Sequence, residues 1–363
     1  MSTKAFQYQS LTKHRRIVLL TDGYSTPFLA KTAINLLRYR PADIAAVLDA
    51  GSAGKTAQAV FGTGGQIPLV ANLREIADAD ALYVGIAPPG GKLPDAWQPI
   101  VLQGIEQGLD IVSGLHDFLG TNRNYVEAAN RRRVQLIDVR KNSYRDIATG
   151  QGLSKRCTRI HTVGQDCSLG KMVVSVEMQQ ALERAGHRAR FLATGQTGIM
   201  ISGSGVPVDC VIADFVNGAI EQLVLSDQDA DFQLIEGQGS ITHPAYSAVT
   251  LGLLHGCAPD GLVYCYEAGR THVKGLDNIP LPQMEDQIEI LLKIANLRHP
   301  CQLIGIAVNT RLLDPTAAAS EVRQAEERFG LPACDVYRDG PQKLVEAAEA
   351  LRTRLLSGLG HGE

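Results

Sequence analysis

The fold of the second half of this chain is decided by one stretch, Val163-Gly164-Gln165-Asp166-Cys167-Ser168-Leu169-Gly170-Lys171-Met172. Its Gly-Lys ending is that of a phosphate-binding P-loop, but the first glycine stands one residue earlier than the G-x-x-x-x-G-K pattern allows. A β-rich run, Arg159 to Val163, precedes the loop, and a helical pattern from Lys171 to Ala185 is closed by Gly186. Strand, glycine loop and helix therefore come in the order of a P-loop. The alternative is a glycine-rich turn with an exposed lysine.

Met172 stands where a nucleoside triphosphatase has the Ser or Thr hydroxyl that binds Mg²⁺. Backbone N–H groups and a lysine are sufficient to bind phosphates, whereas a thioether cannot replace that hydroxyl on the metal. We therefore expect Gly164 to Met172 to bind a cofactor whose phosphates are not reactive. The pyrophosphate of a coenzyme fits this description.

Composition indicates an ordinary soluble protein of two domains. The chain has 363 residues, 45% of them apolar, and a net charge of −3, which gives no basic excess for a nucleic-acid partner. It has no run of about 18 apolar residues, and Met1 to Arg16 are polar without a following signal-peptide segment. We expect a cytoplasmic homo-oligomer that acts on a small molecule, with no membrane or nucleic-acid partner.

Cysteine and histidine spacing gives no reason to expect a metal. The seven cysteines form no C-x-x-C pair, and the nine histidines show no H-E-x-x-H pattern. Cys167 lies inside the glycine loop, where a helix N-terminus can activate a thiol. A small residue packed in the loop is the alternative interpretation.

Apolar runs alternate with helical patterns along the whole chain, which is typical of parallel sheets with crossover helices. We predict an α/β protein with two doubly wound parallel-sheet domains, a Rossmann-like domain at 1–150 and a P-loop NTPase-like domain at 151–363. The boundary is placed where the pattern becomes polar, between Arg140 and Arg156. The strands predicted in the first half are Ile17 to Thr21, Ile44 to Leu48, Ala81 to Ala87, Asp110 to Ser113 and Val134 to Val139. Those predicted in the second half are Ile160 to Val163, Arg190 to Ala193, Phe232 to Ile235, Leu262 to Tyr266, Leu303 to Val308 and Cys334 to Tyr337.

Two glycine segments of the first half do not complete a nucleotide-binding motif. Gly51 to Thr56 resembles a second P-loop, but neither Asp49 nor Leu48 supplies its first glycine. Thr21 to Thr26 has one glycine where a dinucleotide-binding turn has three. We therefore do not expect NAD, and an acid such as Asp49 at a strand end is more often a helix cap.

Candidate catalytic residues follow the strands of the second half, since ligands of parallel sheets bind beyond the carboxyl ends of the strands. Glu236 follows an apolar strand, and His243 lies in the same loop. Either could remove a proton from an attacking amine. The alternatives are an acceptor for loop amides in the case of Glu236 and a hydrogen-bonded turn residue in the case of His243.

The segment after Asp209 predicts an amphipathic helix. Its apolar stripe runs from Val211 to Val224 and leaves Asp214, Asn217 and Glu221 on the opposite side. Asp209 is then a plausible N-cap of this helix.

Eight segments carry a resemblance to a known family: APPGGKLP at 87–94, GLDIVSGLHDFL at 108–119, DVRK at 138–141, GQDCSLGKM at 164–172, ATGQTGIMI at 193–201, VDCVIADFVNGAIE at 208–221, LIEGQGSITHPAYS at 234–247 and YEAGR at 266–270. The protein is identified as a member of a family long described only as a domain of unknown function, with a Rossmann-like N-terminal half and a P-loop-like C-terminal half. Its members include D-glutamate N-acetyltransferases. The resemblance implies transfer of acetyl from acetyl-CoA, as co-substrate, to the amine of D-glutamate or a similar small acidic amino acid.

The second half also resembles dethiobiotin synthetase-like P-loop enzymes, which have Thr where this chain has Met172. That resemblance implies an adenine contact by Asn309. It also leaves open an ATP-dependent kinase or ligase, with Mg²⁺ on Asp166 or Glu236. A regulator that binds CoA or a nucleotide without catalysis is a further alternative.

Acetyl transfer to an acidic amino acid requires groups for its carboxylates and for the oxyanion. Arginine grips a carboxylate with a bidentate fork, so we nominate Arg270 with Arg140, while Lys274 lies nearby in sequence. Solvated surface charge is the alternative for these cations. Backbone amides of the stretch Gly195-Gln196-Thr197-Gly198 are candidates to stabilise the oxyanion.

Overall fold

The computed structural model describes Tyr8 and residues 10–359. Residues 1–7 and 9 of the predicted polar start therefore lie outside the described residues. Two compact units are present among the described residues. The Rossmann-like unit comprises Tyr8 and residues 10–142 with residues 196–210, and the P-loop unit comprises residues 143–195 and 211–359. The sequence prediction assigned 196–210 to the second domain, whereas the structure packs this segment with the first unit.

The Rossmann-like unit is built on six parallel strands in the order β3-β2-β1-β4-β5-β6. This order is that of a dinucleotide-binding fold, so the predicted Rossmann-like architecture is confirmed. The sequence missed β3, which has only two residues. The strands are β1 (Ile17–Leu20), β2 (Ile44–Leu48), β3 (Leu69–Val70), β4 (Ala81–Val84), β5 (Asp110–Ser113) and β6 (Leu136–Asp138). The helices between them are α1 (Lys31–Tyr39), α2 (Ala57–Phe61), α3 (Gln98–Glu106) and α4 (Arg123–Arg132).

The P-loop unit has a second six-stranded parallel sheet, in the order β14-β13-β10-β7-β9-β8. Its strands are β7 (Thr158–Gly164), β8 (Ala189–Leu192), β9 (Phe232–Ile235), β10 (Gly261–Glu267), β13 (Gln302–Asn309) and β14 (Ala333–Cys334), and β11 (His272–Val273) pairs with β12 (Leu276–Pro280) in a separate hairpin. Helices α5 (Lys171–Arg184), α7 (Val216–Leu225), α8 (Ser247–Cys257), α9 (Met284–Asn296), α10 (Pro315–Phe329) and α11 (Gln342–Leu359) complete the unit. Every residue of β7 and β10 is buried, as expected for central strands covered by helices on both faces.

The remaining helix, α6 (Gln196–Ser202), belongs to the Rossmann-like unit, where it contacts α1. The Thr32 and Thr197 hydroxyls lie 3.0 Å apart, and Gln196 Nε2 donates to Thr32 Oγ1 at 3.3 Å. The polar face of α6 is thus used for packing within this unit.

Three local predictions have different outcomes. The helix predicted after Asp209 begins at Val216, because a separate 3₁₀ turn, Val208–Cys210, contains Asp209; the N-cap assignment was wrong. Glu221, predicted on the side of the helix opposite the apolar stripe, is 2% exposed, and its carboxylate accepts hydrogen bonds from the backbone of Thr149 and Gly150. Just before the segment Gly51 to Thr56, which resembles a second P-loop, Asp49 caps a 3₁₀ turn, as its position at a strand end suggested.

Among residues 8 and 10–359, no helix is both long and apolar enough to span a membrane.

Candidate active site

The glycine loop joins β7 to α5 in the conformation of an anion-binding turn. Ser168 and Gly170 have left-handed φ angles of 57° and 104°, which turn the chain sharply before the helix begins at Lys171. The first turn of any helix carries N–H groups without partners inside the helix, and its dipole favours negative charge there. Ser168 is a strained position for a residue with a side chain, so the turn is held against its conformational preference. This geometry suits phosphate oxygens.

Lys171 is folded into the loop rather than extended toward solvent. Its ammonium donates to the backbone carbonyl of Asp166 at 2.6 Å, and the residue is 6% exposed. Burial lowers the pKa of Lys171, while Cys167 and Asp166 act in the opposite direction. The exposed lysine of the alternative interpretation is therefore absent, and a positive charge lies within reach of any anion in the loop.

Asp166 connects the loop to the segment after β10. Its Oδ1 accepts from the N–H of Cys167 at 2.7 Å, and its Oδ2 accepts from Arg270 at 3.0 Å and from the N–H of Lys274 at 2.7 Å. Arg270 also contacts Glu267 at 3.1 Å and is 8% exposed in its side chain. Arg270 is thus already bound to two carboxylates of the protein. It fixes the loop, and gripping a substrate would require it to exchange partners.

Glu236 is buried between the ends of β8 and β9. Its Oε2 accepts from the N–H groups of Thr194 and Gly195 at 2.8 and 3.0 Å, and its Oε1 accepts from Gln238 at 2.9 Å. These contacts are those of a carboxylate that fixes two loops. Of the two interpretations left open by the sequence, the geometry favours the acceptor for loop amides over the proton-removing base.

Two residues that the sequence analysis did not nominate, Gly237 and Ser240, bring the loop that follows β9 into contact with β7 and the P-loop. The N–H of Gly237 donates to Thr162 Oγ1 at 2.9 Å, and a Cβ at this glycine would collide with the Thr162 carbonyl oxygen. Ser240 donates to the carbonyl of Gln165 at 3.1 Å. The clustering of glycines after Glu236 was the available signal for such a close approach.

His243 points into the same loop but has the wrong tautomer for a base. The N–H of Ala245 donates to its Nδ1 at 3.1 Å, so the neutral ring carries its proton on Nε2. That Nε2 is buried, has no hydrogen-bond partner among the described residues, and lies 4.0 Å from Asp166. His243 therefore presents a donor, not an acceptor, to this space.

Asp166, Cys167 and His243 bring three potential metal-ligating atoms within 4.8 Å of one another, a grouping that sequence spacing did not indicate. A ligating histidine usually donates its other N–H to an acceptor, whereas here the other nitrogen accepts from Ala245. Arg270 and Lys171 add positive charge beside the cluster. The surroundings thus favour an anion over a cation.

Asn309, predicted to contact adenine, has both ends of its amide engaged. It donates to the carbonyl of Leu169 at 2.9 Å and accepts from the N–H of Arg311 at 3.2 Å. It also lines a small pocket beside the loop whose other walls are largely apolar. The lining includes Leu169, Val174, Val308, Asn309, Val336 and Tyr337.

All but one of the other nominated residues lie in the Rossmann-like unit. Arg140 binds Asp209 through Nε at 3.0 Å and through a terminal nitrogen at 2.9 Å. Gln196, Thr197 and Gly198 lie in α6, whereas Gly195 lies in the P-loop unit. The roles predicted for these residues in substrate binding stay predictions.

Comparison with known proteins gives matches along nearly the whole chain. Residues 146–345 match a family model described as a domain of unknown function (DUF1611_C), P-loop domain, and residues 50–142 match one described as a domain of unknown function (DUF1611_N), Rossmann-like domain. The chain is 35% identical to a DUF1611 family protein of known crystal structure from Anabaena variabilis, with a TM-score of 0.86, over 93% of this chain and 99% of that one.

Two curated relatives carry the name D-glutamate N-acetyltransferase. The one from Tritonibacter scottomollicae is 41% identical over 76% of this chain and 83% of its own length. The one from a Pseudoalteromonas species is 42% identical over 74% of this chain and 80% of its own length.

Proposed function

Because the chain belongs to the DUF1611 family, we propose that it is an N-acetyltransferase that moves the acetyl group of acetyl-CoA to the amine of D-glutamate or a similar small acidic amino acid. The observation that carries this proposal is the 41–42% identity to two relatives named for that activity. The shared segment covers about three quarters of this chain, so the likeness extends well beyond the P-loop itself.

The loop supports a donor that binds through its phosphates without a metal. Its turn before α5 and the buried ammonium of Lys171 provide for a pyrophosphate. Met172 supplies no hydroxyl for Mg²⁺. The thioester of acetyl-CoA is already activated for acetyl transfer, so the loop needs only to bind the donor. The largely apolar residues around Asn309 beside the loop offer a surface on which the adenine of such a ligand could pack.

The ATP-dependent alternative has weaker support in the geometry. Its candidate Mg²⁺ ligands are Asp166 and Glu236, and both carboxylates are already engaged by N–H groups and, at Asp166, by Arg270. A metal would have to displace these contacts. Cation binding at a site beside two positive side chains is also disfavoured electrostatically.

The test measures thermal unfolding with CoA, with ATP, and with ATP plus Mg²⁺. A ligand at a hundredfold excess over its Kd stabilises the folded state by about 2.7 kcal/mol. We expect CoA to raise the Tm without metal. Stabilisation by Mg-ATP alone would contradict the proposal.

Turnover is then measured as release of free CoA thiol from acetyl-CoA across D- and L-amino acids. We expect release with D-glutamate and little with amino acids that lack a second carboxylate. Binding of CoA without release on any amine would instead support a non-catalytic regulator.

A further inference from the structure

The buried ring of His243 presents a hydrogen-bond donor that no described residue accepts. Its Nδ1 accepts the N–H of Ala245 at 3.1 Å, so the ring proton lies on Nε2. That Nε2 has no hydrogen-bond partner among residues 8 and 10–359, although His243 is only 3% exposed. Since the large majority of buried polar groups in proteins are hydrogen-bonded, this N–H indicates a ligand atom that accepts from it.

The ring is fixed in this orientation by its own turn. The carbonyl of Ser240 accepts the N–H of His243 at 3.0 Å, and the carbonyl of His243 accepts the N–H groups of Tyr246 and Ser247 at 3.2 and 3.1 Å. The ring of Tyr246 packs on the imidazole with the two centroids 4.5 Å apart. The Nε2–H group is therefore preorganised, and it can meet a ligand without a change of the backbone around it.

The Nε2–H group faces the glycine loop. Nε2 lies 4.0 Å from Asp166 Oδ1, which is beyond hydrogen-bond distance. The sulfur of Cys167, a carboxylate oxygen of Asp166 and a ring nitrogen of His243 all lie within 4.8 Å of one another. The ammonium of Lys171 lies against the same residue, since it donates to the backbone carbonyl of Asp166 at 2.6 Å. His243 and Lys171 thus bring two N–H donors to one part of the loop.

The carboxylate of Asp166 does not exclude an anion from this place, because its own contacts balance its charge. Its Oδ1 accepts the N–H of Cys167 at 2.7 Å. Its Oδ2 accepts from the guanidinium of Arg270 at 3.0 Å and from the N–H of Lys274 at 2.7 Å. The groups left to bind a ligand are then the ammonium of Lys171, the N–H of His243 and the free N–H groups at the start of α5. All of them donate, which suits a ligand atom that only accepts, such as a phosphate oxygen.

We infer that His243 is a phosphate-binding residue, which donates from Nε2 to an oxygen of the pyrophosphate of acetyl-CoA in the glycine loop. This inference rests on the proposed function and deepens it, because it assigns His243 to binding of the cofactor and not to proton removal. Lys171 supplies positive charge to the pyrophosphate, and His243 supplies a directed hydrogen bond. One competing interpretation is a catalytic base. The other is a structural imidazole whose Nε2 pairs with Asp166 after a small movement of the side chain.

Two amide variants separate the two nitrogens of the ring. The side chain of His243→Asn reaches about as far as Nδ1, so its oxygen can accept the N–H of Ala245 while the donor at Nε2 is removed. The side chain of His243→Gln reaches about as far as Nε2, so it keeps an N–H donor there and gives up the acceptor at Nδ1. Contact with phosphate predicts that Asn is the damaging substitution and that Gln restores binding. Contact with Ala245 alone predicts the reverse.

The experiment measures the Kd of CoA and of inorganic pyrophosphate by titration calorimetry, without Mg²⁺ and without an amino acid. We expect His243→Asn to raise the Kd of both probes by about 10- to 100-fold, the scale of a lost hydrogen bond to a charged group. His243→Gln should bind both probes within about threefold of the wild type.

His255→Asn is the matched control for these titrations. The Nε2 of His255 also has no hydrogen-bond partner in the described part of the chain, but this residue lies about 12 Å along α8 from its start at Ser247. It should leave the Kd of both probes unchanged.

Steady-state release of CoA thiol separates binding from proton removal. We expect His243→Asn to raise the KM for acetyl-CoA with kcat within about threefold of the wild type, because a contact made equally in the ground and transition states changes only binding. A lost base would instead lower kcat by about 10²-fold or more and leave the Kd of CoA unchanged.

The Tm without ligand tests the structural interpretation. Both variants lose the imidazole ring, but His243→Asn keeps the acceptor for Ala245, so its Tm should be no lower than that of His243→Gln. Pairing of Nε2 with Asp166 predicts the opposite order, because only Gln would preserve that pair.

Three results overturn the inference: His243→Asn binding both probes as tightly as the wild type, His243→Gln binding them as weakly as His243→Asn, or a lower unliganded Tm for His243→Asn than for His243→Gln. Failure of the proposed function is distinguishable, because the wild type would then release no CoA thiol with any amine. The pyrophosphate titrations need neither acetyl-CoA nor turnover, so they test His243 in that case as well. A wild type that binds neither CoA nor pyrophosphate would overturn both.

Discussion

Replacing Glu236 with Gln separates a structural carboxylate from a catalytic one. In the structure its Oε2 accepts two backbone N–H groups and its Oε1 accepts the amide of Gln238. Hydrogen bonds to a charged group contribute about 1.5–3 kcal/mol each, and neutral ones about 0.5–1.5 kcal/mol. In the Glu236→Gln protein this side chain is uncharged, so its hydrogen bonds with the two backbone N–H groups weaken. The free energy of unfolding should therefore fall by about 2 kcal/mol. For a unit of this size the Tm should fall by roughly 4–8 °C.

The assay pairs thermal unfolding with the rate of CoA release at saturating substrates. We expect the lower Tm together with a kcat within about tenfold of the wild type, because the carboxylate already accepts three N–H groups that fix the two loops. A lost general base would instead reduce kcat by about 10²-fold or more. Glu289→Gln on α9 is the control, an exposed carboxylate paired only with Lys293, and should change stability by less than about 0.5 kcal/mol. An unchanged Tm with a hundredfold lower kcat would refute the structural assignment.

Three further perturbations address the P-loop unit. Lys171→Ala should raise the KM for acetyl-CoA by roughly 10- to 100-fold, and by more than it lowers kcat, because it removes one charged contact to a phosphate. An unchanged KM in steady-state kinetics would mean that the donor binds elsewhere. Burial lowers the pKa of His161 to about 4, below its value in the unfolded chain, so the stability that depends on its neutral form is lost as pH falls from about 6.5 toward 4. Urea unfolding of the wild type should show the free energy of unfolding falling by about 3 kcal/mol over this range, a fall that His161→Asn should lack. Equal pH profiles for the two proteins would contradict this assignment. Gly237→Ala should lower the unfolding free energy by about 2 kcal/mol or more, since its Cβ meets a backbone carbonyl, whereas Gly358→Ala has open space and should change it by less than about 1 kcal/mol in the same measurement.

The sheets and the loop could be predicted from the sequence because they depend on local patterns. The apolar runs at Phe232 to Ile235 and Ile44 to Leu48 match strands to the residue, and the helix that follows Gly170 begins at Lys171 as its pattern indicates. Strand order then requires segments such as those after β9 and β10 to meet the P-loop. The contacts of Ser240 and Arg270 with the loop show that they do.

The chemical state of individual side chains could not be predicted in this way. Glu236 and His243 were both candidate bases, and what distinguishes them from working bases is which N–H groups of the backbone they meet. Such contacts depend on loop conformation to within a few tenths of an ångström. Arg270 and Arg140 were nominated as substrate cations, but their carboxylate partners, Asp166 and Asp209, lie 104 and 69 residues away along the chain.

The contacts of Asp209 with Arg140 and of Cys210 with His116, whose Nδ1 lies 3.4 Å from the cysteine sulfur, were missed for a related reason. The sequence analysis placed Asp209 at a helix N-terminus in the second domain, where it had no relation to a histidine near position 116. The structure instead packs 196–210 on the Rossmann-like unit, which brings a cysteine to an imidazole 94 residues earlier in the chain. A crossing of this kind between units leaves no periodic signal, because the segment is short and its polar residues fit a cap or turn equally well.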